Sequence, residues 1–451
     1  MAGTISVGGL ASGLDTDSII KKLVALEQRP IDLLQQRVAD VQKTQTSIGS
    51  LSSKLSTVRT AAFALRTTSG VLVRKAASSD DSVVGAVAGL GAQRGSATVS
   101  VSQLARGSVA GATVGVASTS SSVADGAGTF QWKVGSGDVQ TIGVTGTTTL
   151  QELADAITGV NAGVTASAVN LGTAAAPDYR LQLVSTSTGA SSTITVLHDD
   201  TKLAVQTSQA GQNANFTVGG FTGTFERESN TFSDVLLGVT FTLKDTGTSA
   251  ITVSDDTDEI VKRAKALTDA FNDVVGFVGD ETTVQESADK QTLTLGSLAG
   301  DTTARRITSQ LHDIFSAPLD GATTRFVNLA SVGFATQRDG TIAFDEGKFR
   351  AALAEDPDAV ATVFAGNDTA QGIARNLTQF LDATTGATGA ISIRTKGLND
   401  EVDALQVQID SDQGHLATFE KNLRAQFNAL ETLVSGLQSQ ASFLTAALKS
   451  A

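Results

Sequence analysis

The sequence predicts an α+β protein of several domains, with long helices at both ends and β-rich domains inserted between them. Both ends carry apolar residues at heptad spacing, which is typical of helices that pack along a seam. The middle, from about residue 78 to 255, is rich in Ser, Thr and Gly and contains short β-branched stretches. At 451 residues, the chain also exceeds what one hydrophobic core usually organises.

The C-terminal pattern predicts one helix of about fifty residues, which at 1.5 Å per residue is roughly 75 Å long. A helix of this length exceeds what a small globular core can cover, so we expect part of it to form a coiled coil or to pack on a neighbouring subunit. Ordinary packing within one chain is the alternative. Its apolar positions include Leu398, Val402, Leu405, Ile409, Leu416, Phe419, Leu423, Phe427, Leu430, Val434, Leu437 and Leu444.

The N-terminal pattern predicts a second long helix that packs along the same kind of seam. We expect its N-cap at Asp15, Thr16 or Asp17. Pro30 lacks a backbone donor and disfavours helical geometry at the preceding residue, so a break or kink is expected there. The apolar seam positions include Leu34, Val38, Val41, Leu51, Leu55 and Val58.

The β-rich middle contains one predicted helix, and helical spacing returns after it. Residues 149–157 show the apolar spacing of a short helix. Asp256 and Glu259 have the spacing of a capping box, which predicts the start of the returning helix.

A compact unit is predicted at residues 331–366. Arg338-Asp339-Gly340 lies between two alternating stretches, which is a strong signal for a β-hairpin turn. Asp345 is expected to cap one helix, Pro357 to open the next, and Gly366 to end it.

Charge and composition exclude several classes of function. The 33 basic and 46 acidic side chains give a formal net charge of −13, which argues against nucleic-acid binding because that affinity comes from Lys and Arg. The absence of Cys excludes disulfides and thiolate metal sites. Residues 1–13 lack the features of a Sec-type signal peptide, and no apolar run reaches about eighteen residues, so no membrane insertion is expected.

No group of residues predicts catalysis, a metal or a cofactor. Gly8 and Gly13 stand at P-loop separation, but Leu14 and Asp15 occupy the positions of the Lys and Ser/Thr. His198-Asp199-Asp200 offers possible metal ligands, yet no second His is near in sequence, so a solvated cluster is expected. No G-x-S-x-G elbow marks one Ser as a nucleophile. We therefore expect a protein that is not an enzyme.

Several stretches resemble the flagellar hook-associated protein 2 family. The opening residues 5–17, followed by 19–24 and Arg29-Pro30, resemble the start of that family. The motif positions there are Gly8, Gly9, Leu10, Ser12, Gly13, Leu14 and Asp15. Further resemblance lies at residues 229–232, 237–243, 332–334, 338–341, 357–360 and 424–430. It is weak from about residue 109 to 202, where members of the family vary.

The resemblance implies a secreted filament cap at the distal tip of the bacterial flagellum. In that family the cap is a homo-oligomeric plate with legs, and it promotes the folding and insertion of flagellin. The motif near the N-terminus would belong to the region read by the flagellar type III export apparatus. A dedicated export chaperone is a further expected partner.

The same resemblance predicts how the chain divides. The terminal helices would form a leg, and the β-rich middle would form head domains of which one is inserted in another. We expect a leg segment at 1–40, a helical stalk domain at 41–79 and 257–396, a head domain at 80–108 and 203–256, an inserted variable head domain at 109–202, and a C-terminal leg helix at 397–451.

Other functions are consistent with parts of the pattern. A hook–filament junction protein or a flagellin would share heptad-bearing ends, although the Gly-rich opening and the unit at 331–366 favour the cap. A flagellar-tip adhesin would bind a host surface through the β-rich domains. A hydrolase built from scattered Ser, Asp and His would require a geometry that sequence does not display.

Overall fold

The computed structural model describes residues 15–286, 293–319 and 324–449. The chain forms two compact units, one made of both ends, residues 1–71 and 261–451, and one made of residues 72–260. Long helices at the ends and sheets between them confirm the predicted α+β fold class. The division into five segments stays a prediction.

The helical unit begins with α1 (Thr16–Ala64), which is followed by the single turn α2 (Thr68–Val71). Asp15 is the N-cap, as predicted, and its carboxylate accepts a hydrogen bond from the Ser18 amide at 2.9 Å. This bond satisfies one of the amides that have no partner inside the helix.

The sequence predicts a break or kink at Pro30, and the break is wrong, because α1 continues through this residue. Pro30 removes only the hydrogen bond that a residue at that position would donate to the carbonyl of Leu26. Ile31, directly after it, is only 1 % exposed. Burial of this side chain offsets the local cost of the proline, since fully burying an Ile contributes about 1.5–3 kcal/mol.

The unit at residues 72–260 consists of short antiparallel strands and one helix, as its β-branched and Gly-rich sequence predicts. Its elements are β1 (Arg74–Ser78), β2 (Val84–Ala88), β3 (Gly95–Gln103), β4 (Val109–Ala112), β5 (Gly128–Val134), β6 (Gln140–Val144), α3 (Leu150–Gly159), β7 (Val164–Asn170), β8 (Tyr179–Ser185), β9 (Ile194–Asp199), β10 (Val205–Gln209), β11 (Ala214–Val218), β12 (Phe225–Arg227), β13 (Thr231–Leu236), β14 (Val239–Leu243) and β15 (Gly247–Asp255).

One hydrophobic core lies between a five-stranded sheet, in the order β1-β15-β3-β11-β12, and a three-stranded sheet, β13-β14-β2. Three phenylalanine rings stack at its centre, with centroids 4.6 Å apart between Phe216 and Phe232 and 5.6 Å apart between Phe232 and Phe241. These rings come from both sheets, and the core also contains Val84 of β2 and Val99 of β3 from the beginning of the unit.

A second core lies in residues 110–205, between the sheets β10-β4-β8-β7 and β6-β5-β9. Trp132, the only tryptophan of the chain, is fully buried there beside Phe130. The predicted short helix is α3, which packs its apolar face into this core. Thr149 and Glu152 form a capping box at its start.

After the β-rich unit, the chain returns to helices. The predicted hairpin at Asp339-Gly340 is confirmed, and Gly340 has a φ of +84°. The predicted caps at Asp345 and Asp256 and the helix start at Pro357 are also found. The elements are α4 (Thr257–Thr282), β16 (Val284–Glu286), β17 (Leu293–Leu295), α5 (Thr302–Ser316), β18 (Phe334–Thr336), β19 (Ile342–Phe344), α6 (Glu346–Glu355), α7 (Pro357–Ala365), α8 (Ile373–Thr385) and α9 (Ala390–Lys449).

The long helices are amphipathic, with charges spread along them. Among the residues that the structure describes, no helix is both long and apolar enough to cross a membrane.

Candidate assembly site

The candidate site is the pair formed by α1 and α9, the two longest helices. Side-chain contacts show that they run antiparallel. In the second half of α1, Gln45 donates to Asn399 at 2.8 Å. At the start of α1, Arg424 donates to Asp17 at 3.1 Å. Low numbers in α1 therefore lie beside high numbers in α9.

Residues of both helices line a groove around Pro30, near the middle of the pair. Ile31 lies against a groove of about 480 Å³ that is also lined by Pro30, Leu416 and Phe419. A further ion pair joins the helices, between Arg37 and Glu401 at 3.0 Å. An exposed pair of this kind contributes about 0–1 kcal/mol, so the apolar seam is the main source of stability.

The predicted seam residues fall into three groups by burial. Those closest to the body of the helical unit are buried, and those towards the end of α9 become exposed. The buried residues are Val41, Leu51, Leu55, Val58, Leu398, Leu405 and Ile409. The partly buried residues are Leu34, Val38, Val402, Leu416, Leu423, Phe427 and Val434. The exposed residues are Phe419, Leu430, Leu437 and Leu444.

The buried part of the α1 seam belongs to a helical bundle within the chain. Beside it, Lys54 pairs with Asp273 of α4 at 2.7 Å, and the Ser47 hydroxyl donates to the Glu281 carboxylate at 3.2 Å. Leu51, Leu55 and Val58 are completely buried in this single chain.

The remaining seam continues on the last part of α9, residues 425–449, which we call the α9 tail. The contact of Arg424 with Asp17 lies at the start of α1, so the described part of α1 lies beside only the beginning of the α9 tail, where Phe427 is partly buried. Leu430 is 44 % exposed and Leu437 is 57 % exposed. An apolar stripe on a helix is stable in water when another surface covers it. Among the described residues, the α9 tail thus carries an apolar stripe that is exposed at Leu430 and Leu437.

The N-terminal motif lies outside the described residues, except for Asp15. Gly8, Gly9, Leu10, Ser12, Gly13 and Leu14 are among the residues concerned. The structure places only the last motif position, which caps α1.

His198 and Asp200 form an exposed pair at the end of β9. The His198 ring and the Asp200 carboxylate are 3.0 Å apart, and both side chains are substantially exposed. A hydrogen bond from the Thr129 amide, with a smaller contribution from His198, lowers the pKa of Asp200. Within the described parts of the chain, no three His, Cys, Asp or Glu side chains are grouped to hold a metal ion.

The polar contacts between α1 and α9 are the features that the sequence pattern missed. Arg424 and Asp17 are 407 positions apart, and Arg37 and Glu401 are 364 apart. Heptad spacing identifies which face of each helix is apolar, but not which charged residues of two distant helices meet. Only the relative register of the helices provides that information.

Comparison with known proteins places the whole chain beside flagellar proteins. A family model described as flagellar hook-associated protein 2 C-terminus matches residues 211–439, and one described as flagellar hook-associated protein 2 N-terminus matches residues 12–108. A third, described as flagellin hook IN motif, matches residues 129–187, within the segment where the sequence resemblance is weak.

Individual relatives match this chain over nearly their full length. The chain is 28 % identical to the A-type flagellar hook-associated protein 2 of Pseudomonas aeruginosa, covering 100 % of this chain and 98 % of the relative. It is 29 % identical to flagellar hook-associated protein 2 of Escherichia coli O157:H7, covering 98 % and 97 %. A crystal structure of three domains of the flagellar cap protein from Escherichia coli matches with a TM-score of 0.63 and 27 % identity, covering 78 % of this chain and 99 % of that one.

Proposed function

The chain belongs to the flagellar hook-associated protein 2 family, and on this premise we propose that it is the cap of a bacterial flagellar filament. In this proposal, copies of the chain form an oligomeric plate with legs at the distal tip. The plate promotes the folding and insertion of flagellin. The role is structural and involves no catalysis.

The observation that carries the proposal is the uncovered apolar stripe of the α9 tail. Among the described residues, the seam is buried at Leu398, Leu405 and Ile409, partly buried at Leu423, and exposed at Leu437. A subunit that stays alone in water gains nothing from this stripe, whereas a leg that inserts among other helices buries it. The gradient therefore supports a leg whose distal part is completed by assembly.

The proposed partners are other copies of the chain and flagellin. We also propose that the chain is secreted through the flagellar type III apparatus with the help of an export chaperone. Deleting residues 2–13 is expected to weaken or block secretion while leaving the thermal melting of the folded protein unchanged, because α1 and its cap at Asp15 remain. Normal secretion of the deletion variant would contradict a role of this segment in export.

The cap proposal is tested in a motile bacterium that lacks its own copy of the gene. Expression of this chain in its native host background should keep flagellin on the filament, and antibody labelling should place the chain at the filament tip. Without the chain, flagellin monomers should accumulate in the medium and cells should lose motility. Normal filaments combined with lost attachment to a surface would instead identify an adhesin.

A further inference from the structure

The first part of α1 has a second exposed face, separate from the seam with α9. Successive residues of an α-helix are about 100° apart around its axis. Lys22, Leu26, Arg29 and Leu33 therefore lie within a narrow stripe, and Ile31 points about 160–180° away from Lys22, Arg29 and Leu33. Since Ile31 is buried against α9, the stripe faces away from α9. We call it the basic face of α1.

This face combines apolar and cationic side chains that are exposed among the residues that the structure describes. Leu26 is 54 % exposed and Leu33 is 64 % exposed. Lys22 and Arg29 are exposed, and neither forms an ion pair with any residue that the structure describes. The two leucines and the two cations together fit a partner surface that is apolar and carries carboxylates. The chain itself is rich in carboxylates, since its net charge is −13.

The outward side of α9 provides such a surface. Val407 lies about 180° around α9 from the buried Leu398, and it is 70 % exposed. Asp400, Asp403 and Asp410 lie within about 60° of Val407 on the same side, and all three are exposed. We call this the acidic face of α9. It is of similar length to the basic face, about 15 Å at 1.5 Å per residue.

We propose that the basic face of α1 binds the acidic face of α9 in a second copy of this chain. The charges are complementary, and Leu26 and Leu33 on one face can bury apolar surface against Val407 on the other, so the contact combines ion pairing with apolar burial. This inference rests on the proposed function, because it specifies the subunit contact of the oligomer.

The placement of the two faces determines the kind of contact. They lie on opposite sides of the α1–α9 pair, so one pair of copies cannot satisfy both faces at once. Each copy instead uses its basic face with one neighbour and its acidic face with another. Such a heterologous contact adds copies in series, as in a ring or a helical array, and does not stop at a dimer. The faces also lie at different levels along the pair, so successive copies are expected to be staggered.

Charge reversal on each face provides the test. One full-length variant carries Lys22→Glu and Arg29→Glu, and the other carries Asp403→Lys and Asp410→Lys. Each variant alone places like charges opposite each other at the contact. Self-association measured by analytical ultracentrifugation should therefore weaken by at least about tenfold relative to the unaltered chain. Mixed in equal amounts, the two variants restore opposite charges at every contact, and association should return. Added salt should weaken the association of the unaltered chain.

A matched control has the same change in charge elsewhere on the helical unit. Arg306→Glu and Arg338→Glu alter two exposed cations on other elements, and this variant should associate like the unaltered chain. Circular dichroism of all variants checks that the helices remain.

Three outcomes would overturn the proposal. They are normal association of both face variants alone, failure of the mixture to associate, and absence of association in the unaltered chain. If the face variants associate normally but no longer hold the filament tip, the basic face binds flagellin and not a second copy. If association follows the prediction while the unaltered chain does not retain flagellin on filaments, the contact stands and the cap proposal fails.

Discussion

Arg424 of α9 donates a hydrogen bond to Asp17 in the first turn of α1, at 3.1 Å, and also bonds to Glu420 on its own helix at 2.9 Å. This contact joins residues from the two ends of the chain. It also marks where α1 ceases to cover α9, because α1 begins at Thr16 while α9 continues to Lys449. The covered part of the pair stabilises the helical unit, whereas Leu430 and Leu437 of the α9 tail are exposed among the described residues.

The β-rich unit should fold without the helical unit, provided that β1 is kept. From sequence, we expect a monomeric and largely β fragment at residues 80–256. The structure adds that β1 pairs with β15 from Arg74 opposite Asp255 to Ser78 opposite Ile251. We predict that a fragment of residues 72–260 is more stable than one of residues 80–256 by roughly 3 kcal/mol, since the shorter fragment loses this ladder of hydrogen bonds.

Urea unfolding of the two fragments measures the difference. Equal stability would contradict the role of β1. A circular dichroism spectrum dominated by helix, or a stable oligomer at micromolar concentration, would contradict the independence of the β-rich unit.

The capping box of α3 should make the second β core sensitive to acid. The hydrogen bonds from Thr149 lower the pKa of Glu152 below its ordinary value of 4.5. A carboxyl group whose pKa is lower in the folded state contributes stability above its unfolded pKa, and this contribution is lost as the pH falls through the folded pKa. We therefore predict that Glu152→Ala lowers the melting temperature at pH 7 and has progressively less effect as the pH falls below about 4.

The buried Trp132 provides the measurement, because its fluorescence reports on the core that α3 completes. Glu152→Gln is the control, since Gln can also close a capping box but does not titrate. A melting difference between Glu152→Ala and the unaltered chain that is the same at every pH would contradict this account.

Asp301 should stabilise the contact between α5 and α9 within the helical unit. Its carboxylate caps α5 by accepting from the amides of Thr303 and Ala304 at 2.9 and 3.0 Å, and it also accepts from Arg394 of α9 at 2.8 Å. The Asp301 side chain is only 4 % exposed. We predict that Asp301→Ala destabilises the protein by about 3 kcal/mol, because it removes the cap and leaves Arg394 without its buried partner.

Asp301→Asn is the matched variant. Asn retains an oxygen for the helix cap but not the charge, so its effect on urea unfolding should be clearly smaller than that of Asp301→Ala. If both variants unfold at the same urea concentration as the unaltered chain, Asp301 does not join α5 to α9 as described.

Local chemistry in the sequence predicts most helix ends and turns correctly. Asp15 and Asp345 cap helices, and Gly340 occupies the turn of the hairpin, because each residue type provides what its position requires. Pro30 shows the limit of local reasoning. The preference of proline to end a helix is outweighed by the burial of Ile31 against α9, which depends on a contact with residues far along the chain.

The candidate site was predictable in part. The seam positions on α9 are recognisable from their spacing, but Leu405 and Leu437 follow the same pattern while one is buried and the other exposed. The spacing of apolar residues along α9 is the same beside α1 and beyond the start of α1. Whether a seam position of α9 is buried depends on where α1 starts relative to α9. Contacts such as that of Arg424 with Asp17 set this register.

The central claim is that the apolar stripe of the α9 tail is completed by assembly at the filament tip. The most direct test replaces Phe427 and Leu430 by Asp. Burying these charges costs several kcal/mol per site when the position is fully covered. Ala425→Asp with Ala429→Asp is the control, because both positions are exposed and lie about 160° around the helix from Phe427.

The measurement is the amount of flagellin in the culture medium of cells that carry each variant, together with motility. We predict that Phe427→Asp with Leu430→Asp is made and secreted but does not hold the filament tip, so that flagellin monomers appear in the medium and motility is lost. The control variant should retain flagellin on the filament. Normal swimming of the Phe427 and Leu430 variant, or its failure through unfolding of residues 72–260, would contradict the claim that the α9 tail is the assembly element.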